Sequence, residues 1–169
     1  MSDGKANLNL QTIGELLILL AVANVTPILA NNLLGSRWSY PVDGRLVLFD
    51  HQRLFGASKT FRGILSSIVA TSTAGLLLGS SWKLGAAVSV YSMSGDLFSS
   101  FCKRRFGLPA GSRASGLDQI PESLFPAIGL RQAFALTPAD IDVVVVCFFV
   151  GEIVLSRVFF KMHLREHPY

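Results

Sequence analysis

Long apolar stretches alternate with short polar segments along the chain. A helix that crosses a bilayer needs about 20 mostly apolar residues, and the pattern predicts such helices at residues 12–34, 64–80, 84–102, 121–136 and 141–160. The fourth stretch is short and contains Pro121, Pro126 and Arg131, so it is either a full span or a re-entrant segment buried in protein. We therefore predict an all-α integral membrane protein with about five transmembrane helices in a single membrane domain.

The composition supports a membrane location. Of the 169 residues, 50% are hydrophobic and 15% are charged, whereas soluble domains are about 25% charged. These values, with a mean hydropathy of +0.47, exclude an ordinary soluble domain and a disordered chain. The net charge of +4 does not indicate a nucleic-acid partner, because the basic residues lie in short blocks between apolar stretches. The first apolar stretch is too long for a secretory signal peptide.

The basic residues are distributed unevenly around the predicted helices. One side of the membrane would carry Arg37, Arg45, Arg53, Lys59, Arg62, Lys103, Arg104, Arg105, Arg113, Lys161 and Arg165. Lys5 and Lys83 would lie on the other side. Because Lys and Arg concentrate in cytoplasmic loops, we predict a protein of the cell membrane with its N-terminus outside. A long loop after the first helix and a short basic loop after the third would then be cytoplasmic, and the same distribution favours a complete fourth span.

Asp96 is the most unusual residue within an apolar stretch. A charged side chain in a membrane helix costs about 2.5–3.5 kcal/mol on insertion scales and usually has a function. On a helix, Asp96 shares one stripe with Ser99, Ser100 and Lys103, which are three, four and seven residues further on. This stripe predicts a carboxylate below a cationic cytoplasmic mouth. Alternatively, Asp96 pairs with a polar group of another helix and the basic residues only anchor the helix end.

Two polar segments could contribute to the same site. The run from Gly56 to Gly63, with Lys59, Thr60 and Arg62, has the residue types of a phosphate-binding loop but not the P-loop spacing. It could instead simply begin the second helix.

Asp118 lies in the other segment and could equally cap the fourth helix, with Pro121 in its first turn. Together, Asp96 and Asp118 flank a cationic turn. Mg²⁺ takes one or two carboxylates and completes its shell with water and phosphate oxygens, so this combination predicts a site for Mg²⁺ and a polyphosphate.

Asn24 is a further polar residue in the first apolar stretch, close to Pro27. A proline within a helix leaves a backbone carbonyl without its partner. Asn24 could therefore line the same cavity as Asp96, or only satisfy the backbone freed by Pro27. We include it among the candidate substrate-binding residues.

The order of these motifs resembles the CDP-archaeol synthase family, which is related to the phosphatidate cytidylyltransferases. The resemblance covers about residues 20 to 126 and is most specific between Gly95 and Gln119. Its motifs are Ala23-Asn24-x-x-Pro27, Pro41-x-Asp43-Gly44, Leu54-Phe55-Gly56-x-x-Lys59-Thr60-x-Arg62-Gly63, Gly95-Asp96-x-x-x-Ser100-Phe101-x-Lys103-Arg104-Arg105 and Asp118-Gln119.

The resemblance implies a five-helix membrane enzyme that uses CTP and Mg²⁺. Such enzymes transfer a cytidylyl group to the phosphate of a glycerol lipid and release pyrophosphate. It implies that Asp96 and Asp118 bind the metal, and that these two and Lys103 are catalytic. The implied substrate contacts are Lys59, Thr60, Arg62, Ser100, Arg104 and Gln119.

One departure from the family pattern concerns the segment after the Asp-Gln pair. Family members often have an acid two residues after it, where this chain has Pro121 followed by Glu122. This departure bears on the identity of the lipid more than on the chemistry. A second function class stays open from the residues alone, which is a small membrane transporter with Asp96 as its coupling carboxylate.

Overall fold

A computed structural model describes residues 8–110, 112, 114 and 116–161, with side chains described as far as residue 157. Over these residues the chain forms five helices and no strand: α1 (Leu10–Leu34), α2 (Phe61–Leu77), α3 (Trp82–Arg105), α4 (Gln119–Gly129) and α5 (Pro138–Lys161). Lys5, Arg113 and Arg165, which entered the charge distribution, lie outside the described residues. The all-helical class and the number of helices are as predicted.

The bounds of the helices differ from the prediction most strongly at α4. It has 11 residues and is about 16 Å long, roughly half of the hydrocarbon thickness. The helix ends at Gly129, and turns follow it up to Ala135, so residues 121–136 do not form one continuous helix. Among the described residues, α1 is the one helix that is both long and apolar enough to cross a membrane by itself. The five-span topology therefore stays a prediction.

Helices α1, α3 and α5 run in the same direction. The backbone N–H of Asn9, just before α1, donates to Asp140 in the first turn of α5 at 3.2 Å. Near the start of α3, Ser80 donates to Glu15 of α1. The loop between α1 and α2 (residues 35–60, the first loop) therefore lies at the same end of the bundle as the segment between α3 and α4 (residues 106–118, the second loop).

Small and hydroxyl-bearing residues allow α1, α2 and α3 to approach closely. Gly63, Ser67, Thr71 and Gly75 form a buried stripe at four-residue spacing along α2. The Ser67 hydroxyl lies 2.7 Å from that of Ser89 on α3. Membrane helices commonly associate through such stripes, because lipid provides no hydrophobic driving force between helices. The apolar core lies beside this contact and includes Leu16, Leu19, Leu20, Val88, Val144 and Phe148.

Pro27 lies inside α1, and the helix nevertheless continues to Leu34. Since proline has no N–H, the carbonyl of Ala23 lacks its intrahelical donor, and the Ser67 hydroxyl of α2 donates to it at 2.8 Å. The Asn24 amide donates to the Leu20 carbonyl of its own helix at 2.9 Å and to the Ser92 hydroxyl of α3 at 3.0 Å. The Ala23 carbonyl freed by Pro27 is therefore satisfied by Ser67, not by Asn24.

Candidate active site

Two lysine–aspartate pairs lie at the end of the bundle where the two loops meet. Lys59 of the first loop contacts both carboxylate oxygens of Asp96 on α3 at 2.5 Å. Lys103, two turns further along α3, lies 2.6 Å from Asp118 at the start of α4. The side chains are 22% and 19% exposed in the first pair and 8% and 14% in the second. Both predicted carboxylates therefore lie in one partly buried cluster of alternating charge.

Two glutamates extend this cluster towards α4 and α5. Glu122, which is buried, interacts electrostatically with Asp96. Glu152 on α5 accepts a hydrogen bond from the Gln119 amide at 3.3 Å. Lys59 interacts electrostatically with Glu122 and Asp118 in addition to Asp96. Asp96, Asp118 and Glu122 thus all interact with Lys59, and Glu152 of α5 borders them through Gln119.

The first loop is folded around Asp43, whose carboxylate organises the segment before Lys59. It accepts hydrogen bonds from the backbone N–H groups of Arg45 at 3.0 Å, Phe55 at 3.3 Å and Gly56 at 3.0 Å, and it pairs with the Arg53 guanidinium. Burial acts to raise the pKa of Asp43, but these hydrogen bonds outweigh it and the pKa lies below its ordinary value. The loop therefore presents Lys59 from an ordered scaffold.

Arg105 joins the first loop to the end of α3. Its guanidinium lies 3.1 Å from the Asp50 carboxylate and donates to the carbonyl of Arg53 at 2.9 Å. Burial of Lys59 opposes its charged ammonium form, but the neighbouring Asp96 carboxylate outweighs this effect and raises the pKa of Lys59 above its ordinary value. Lys59 is accordingly a cation at neutral pH.

Thr60 and Arg62 were predicted to bind substrate, and the structure gives both of them other contacts. The Thr60 hydroxyl caps α2 by accepting the N–H of Gly63 at 3.2 Å. The Arg62 guanidinium donates to the carbonyl of Gly35 at 2.9 Å and to the Asn31 side chain at 3.0 Å, and so joins the start of α2 to the end of α1. The unpaired carbonyls at the end of a helix attract cations, which accounts for these contacts of Arg62. A phosphate contact of Arg62 stays a prediction.

Ser100, Arg104 and Gln119 lie around the cluster. Ser100 is buried one turn beyond Asp96 on α3. Arg104 donates to the carbonyl of Pro109 at 2.7 Å and stabilises the second loop. Gln119 accepts the N–H of Gly116 at 2.7 Å while it donates to Glu152, so it connects this loop to α5.

Asp118, a possible helix cap by its position in the sequence, makes no side-chain capping bond to α4. Its Oδ2 instead accepts the N–H of Ala114 at 3.0 Å. Its Oδ1 is buried and ion-paired with Lys103 but has no well-aligned hydrogen bond. Asp118 therefore faces the lysine and the second loop, and one of its oxygens retains the capacity to accept another ligand.

The sequence did not identify Glu122 and Glu152 as members of this cluster. The signal for Glu122 was its position four residues after Asp118, which corresponds to one helical turn. That spacing is informative only once the start of α4 is known. Glu152 offered no such signal, because only the packing of α5 against α4 brings it to Gln119.

The cluster has oxygen donors suited to Mg²⁺. Among the described residues, no three His, Cys, Asp or Glu side chains are grouped so that they could hold a metal ion by themselves. Mg²⁺ does not need such a cage, because it usually takes one or two carboxylates together with water and substrate phosphates. The chemistry of Asp96 and Asp118, including the under-bonded oxygen of Asp118, fits this pattern.

The fold is that of an intramembrane enzyme. A solved structure reported as "an intramembrane enzyme for archaeal membrane lipids biosynthesis" superimposes with a TM-score of 0.70 and 30% sequence identity, covering 84% of this chain and 90% of that one. The chain belongs to the CDP-archaeol synthase family, since the family model "CarS-like: CDP-archaeol synthase" matches residues 9–169. The resemblance noted in the sequence is thereby confirmed, and the chain is an enzyme of the nucleotidyltransferase class.

Two curated relatives support the assignment. The CDP-archaeol synthase of Sulfurisphaera tokodaii is 33% identical over 135 residues, which cover 76% of this chain and 81% of the relative. That of Aeropyrum pernix is 38% identical over 124 residues, covering 69% of this chain and 68% of the relative. Membership of a family of enzymes favours the enzyme over the transporter alternative.

Proposed function

We propose that this enzyme transfers the cytidylyl group of CTP to the phosphate of a glycerol lipid at the cytoplasmic face of the membrane. The observation that carries the proposal is the convergence of the Lys59–Asp96 and Lys103–Asp118 pairs at the end of the bundle where the first loop lies. A site of this kind can neutralise a triphosphate from several directions. CTP is soluble and the lipid is confined to the bilayer, so both can meet only at an interface.

In the proposed reaction, an oxygen of the lipid phosphate attacks the α-phosphorus of CTP. A new P–O bond forms, the bond from the α-phosphorus to the oxygen that bridges to the β-phosphorus breaks, and pyrophosphate leaves with the electron pair. The attacking phosphate is already anionic near neutral pH, so no strong base is required. Positioning and neutralisation of charge then account for most of the rate enhancement.

The lysines are proposed to bind the phosphate oxygens. An ammonium group has three donors, and Lys103 contacts Asp118 and the carbonyl of Ser112 at 2.9 Å, which leaves one donor for a phosphate. Lys59 extends from the first loop, whereas Lys103 extends from α3. Asp96 and Asp118 are the proposed ligands of Mg²⁺. When bound, this ion would neutralise phosphate charge and help to align the leaving group.

An assay with CTP labelled in two positions tests the reaction. The purified protein in liposomes receives Mg²⁺, a panel of ether-linked and acyl glycerol-lipid phosphates, and CTP labelled at either the α- or the γ-phosphate. Cytidylyl transfer predicts that only the α-label enters the lipid and that the γ-label leaves as pyrophosphate. Incorporation of the γ-label would instead identify phosphoryl transfer and reject the proposal.

Substitution of Asp96 tests the role of the cluster. Asp96→Asn preserves the shape of the side chain but removes its charge, and we expect activity to fall by at least about a hundredfold while the protein remains folded in membranes. Asp142→Asn, on an exposed position at the opposite end of the bundle, is the matched control and should retain activity. Full activity of Asp96→Asn would reject the proposed metal site, and activity in EDTA would reject the requirement for a divalent ion.

A further inference from the structure

The first loop has an apolar surface of its own. Five large apolar side chains of this loop are each more than half exposed: Trp38, Tyr40, Leu46, Val47 and Phe49. Phe49 is the extreme case, with 91% of its surface exposed. Single apolar residues on a protein surface are common, whereas a concentration of them in one segment usually marks a contact with a partner or a membrane.

The exposure of Phe49 is a consequence of how the loop folds. Residues 46–54 form a short hairpin, in which the N–H of Leu54 donates to the carbonyl of Leu46 at 3.0 Å and the N–H of Leu48 to that of Gln52 at 2.9 Å. Phe49 lies in the turn of this hairpin. The hydrogen-bonded backbone therefore keeps Phe49 at the tip, away from the apolar core.

The apolar surface of the loop is continuous with that of the helices. The N–H of Phe61, the first residue of α2, donates to the carbonyl of Tyr40 at 3.0 Å, and Phe61 is itself exposed. The 25 residues of α1 span about 37 Å, which is more than the roughly 30 Å of the hydrocarbon layer. Trp38, four residues beyond the end of α1, therefore falls at the level of the headgroups, where Trp and Tyr concentrate.

The exposed charge of the loop is positive. Its two acids, Asp43 and Asp50, each pair with an arginine. Arg37 and Arg45 are exposed, and the Arg37 guanidinium lies 4.8 Å from the ring of Trp38. Basic residues beside a membrane are attracted by anionic lipids. An acidic protein would also attract the arginines, but it would not account for the continuity of the apolar surface with α1 and α2.

We propose that the first loop docks on the lipid surface at its own end of the bundle, with Phe49 and the other exposed apolar side chains among the headgroups and Arg37 and Arg45 bound to anionic lipid phosphates. This surface is distinct from the lysine–aspartate pairs of the candidate active site. Because the same loop carries Lys59, docking holds the site at the level of the headgroups. The contact strengthens with the content of anionic lipid and weakens as salt screens the charges.

Tryptophan fluorescence tests the contact without turnover. Trp38 and Trp82, the two tryptophans of the chain, are replaced by phenylalanine, and Phe49→Trp becomes the single probe. The protein is placed in liposomes of three parts phosphatidylcholine to one part phosphatidylglycerol, with bromine on the lipid chains near the headgroups. Bromine quenches tryptophan only at close range. We expect the quenching of Phe49→Trp to exceed that of an aqueous position in the same loop by about twofold or more.

Ala57→Trp in the same background is the matched control. Ala57 is exposed but follows Gly56, where an added β-carbon would meet Ala110 of the second loop at 3.3 Å. Position 57 therefore lies between the loops and outside the apolar surface. Equal quenching of the two probes, or none of Phe49→Trp, would overturn the proposal. Quenching that changes with the ratio of protein to lipid would assign the surface to a contact between copies of the chain, and would overturn it as well.

The role of the arginines is tested with the Phe49→Trp probe. Liposomes of phosphatidylcholine alone should reduce its quenching by about twofold or more, and Arg37→Gln combined with Arg45→Gln should do the same in the mixed liposomes. Lys83→Gln, at the opposite end of the bundle, should leave the quenching unchanged. Quenching that is independent of anionic lipid or of the two arginines would overturn the proposal. Since these measurements use no CTP, their failure leaves the proposed cytidylyl transfer intact, and a failure to form CDP-lipid does not affect them.

Discussion

At the scale of single residues, the candidate site is held together by ion pairs in which a charged group interacts with more than one partner. Removing one partner of a buried ion pair can cost about 3–5 kcal/mol, because the other charge is left without compensation. Here Lys59 interacts with Glu122 and Asp118 as well as with Asp96. The loss of Asp96 therefore leaves Lys59 beside other acids. This is why Asp96→Asn is expected to impair the reaction much more than the fold.

Asp43 is the residue on which the first loop most depends. We expect Asp43→Asn to destabilise the loop by about 1.5–3 kcal/mol, which is typical for hydrogen bonds to a charged group, and to lower activity because Lys59 is no longer held in place. Limited proteolysis within residues 35–60 measures the first effect. Asp50→Asn is the control, since Asp50 forms a more exposed pair with Arg105 and should cost less than about 1 kcal/mol. Equal cleavage of the two variants would contradict the role given to Asp43.

The lowered pKa of Asp43 also predicts how the loop responds to acid. A carboxyl whose pKa is lower in the folded state stabilises that state above its ordinary pKa, which is 3.8 here, and loses this contribution as the pH falls through the lower folded value. Cleavage of the wild-type loop by an acid-active protease should therefore increase below about pH 4. Asp43→Asn should be cleaved readily at every pH. A wild-type loop that resists cleavage throughout this range would contradict the expectation.

At the scale of helices, glycines determine how closely the elements that carry the site can approach. Gly85 of α3 lies against the Thr71 backbone of α2, and Gly95 lies against the Pro121 backbone of α4; an added β-carbon at either position would clash with these atoms. Gly95 immediately precedes Asp96, and Pro121 lies three residues after Asp118. The contact between α3 and α4 therefore also sets the separation of the two candidate carboxylates.

Gly95→Ala tests this contact. Backbone atoms cannot move aside as flexible side chains do, so we expect a loss of about 1–3 kcal/mol or more in stability and a loss of activity as Asp118 is displaced. Thermal unfolding in detergent, followed by circular dichroism, measures the first effect. Gly14→Ala, in open space on α1, should instead be neutral or stabilising by up to about 1 kcal/mol. A Gly95→Ala variant as stable and active as Gly14→Ala would show that the contact is not required.

At the scale of the whole molecule, both loops lie at one end of the helical bundle. Arg105 joins the first loop to the end of α3, directly before the second loop, by its contacts with Asp50 and Arg53. The start of α3, with Lys83, lies at the opposite end. This arrangement agrees with the sidedness expected from the distribution of basic residues, and it places all proposed contacts to CTP on one side.

Labelling of single cysteines tests the orientation in the membrane. In a background with Cys102→Ser and Cys147→Ser, Ala57→Cys places a thiol at an exposed position in the first loop, and Lys83→Cys places one at the other end. A membrane-impermeant maleimide should label Lys83→Cys in intact cells and Ala57→Cys only after permeabilisation. The reverse pattern would invert the orientation, and labelling of both from one side would reject the predicted topology.

Much of the site could be predicted at the level of residue types. The spacing of Asp96, Ser100 and Lys103 on one helix follows from the helical period alone. The structure adds the contact of the loop lysine Lys59 with Asp96. Arg62 carries the same charge, but its contacts are to the end of α1, which no local pattern reveals. Glu122 follows Pro121, which stands where family members often have an acid, so the family pattern does not point to Glu122.

Hydropathy, charge and motif order by themselves determined that this chain is helical, belongs in a membrane and is a member of its family, because these properties depend on local composition and spacing. The tertiary structure alone decided which acid faces which lysine, that α4 stops after 11 residues, and that the first loop exposes apolar side chains at the end of the bundle that carries the charges. These features depend on contacts between residues far apart in the chain, such as Lys59 with Asp96 and Gln119 with Glu152. Only the close packing of the helices brings such residues together.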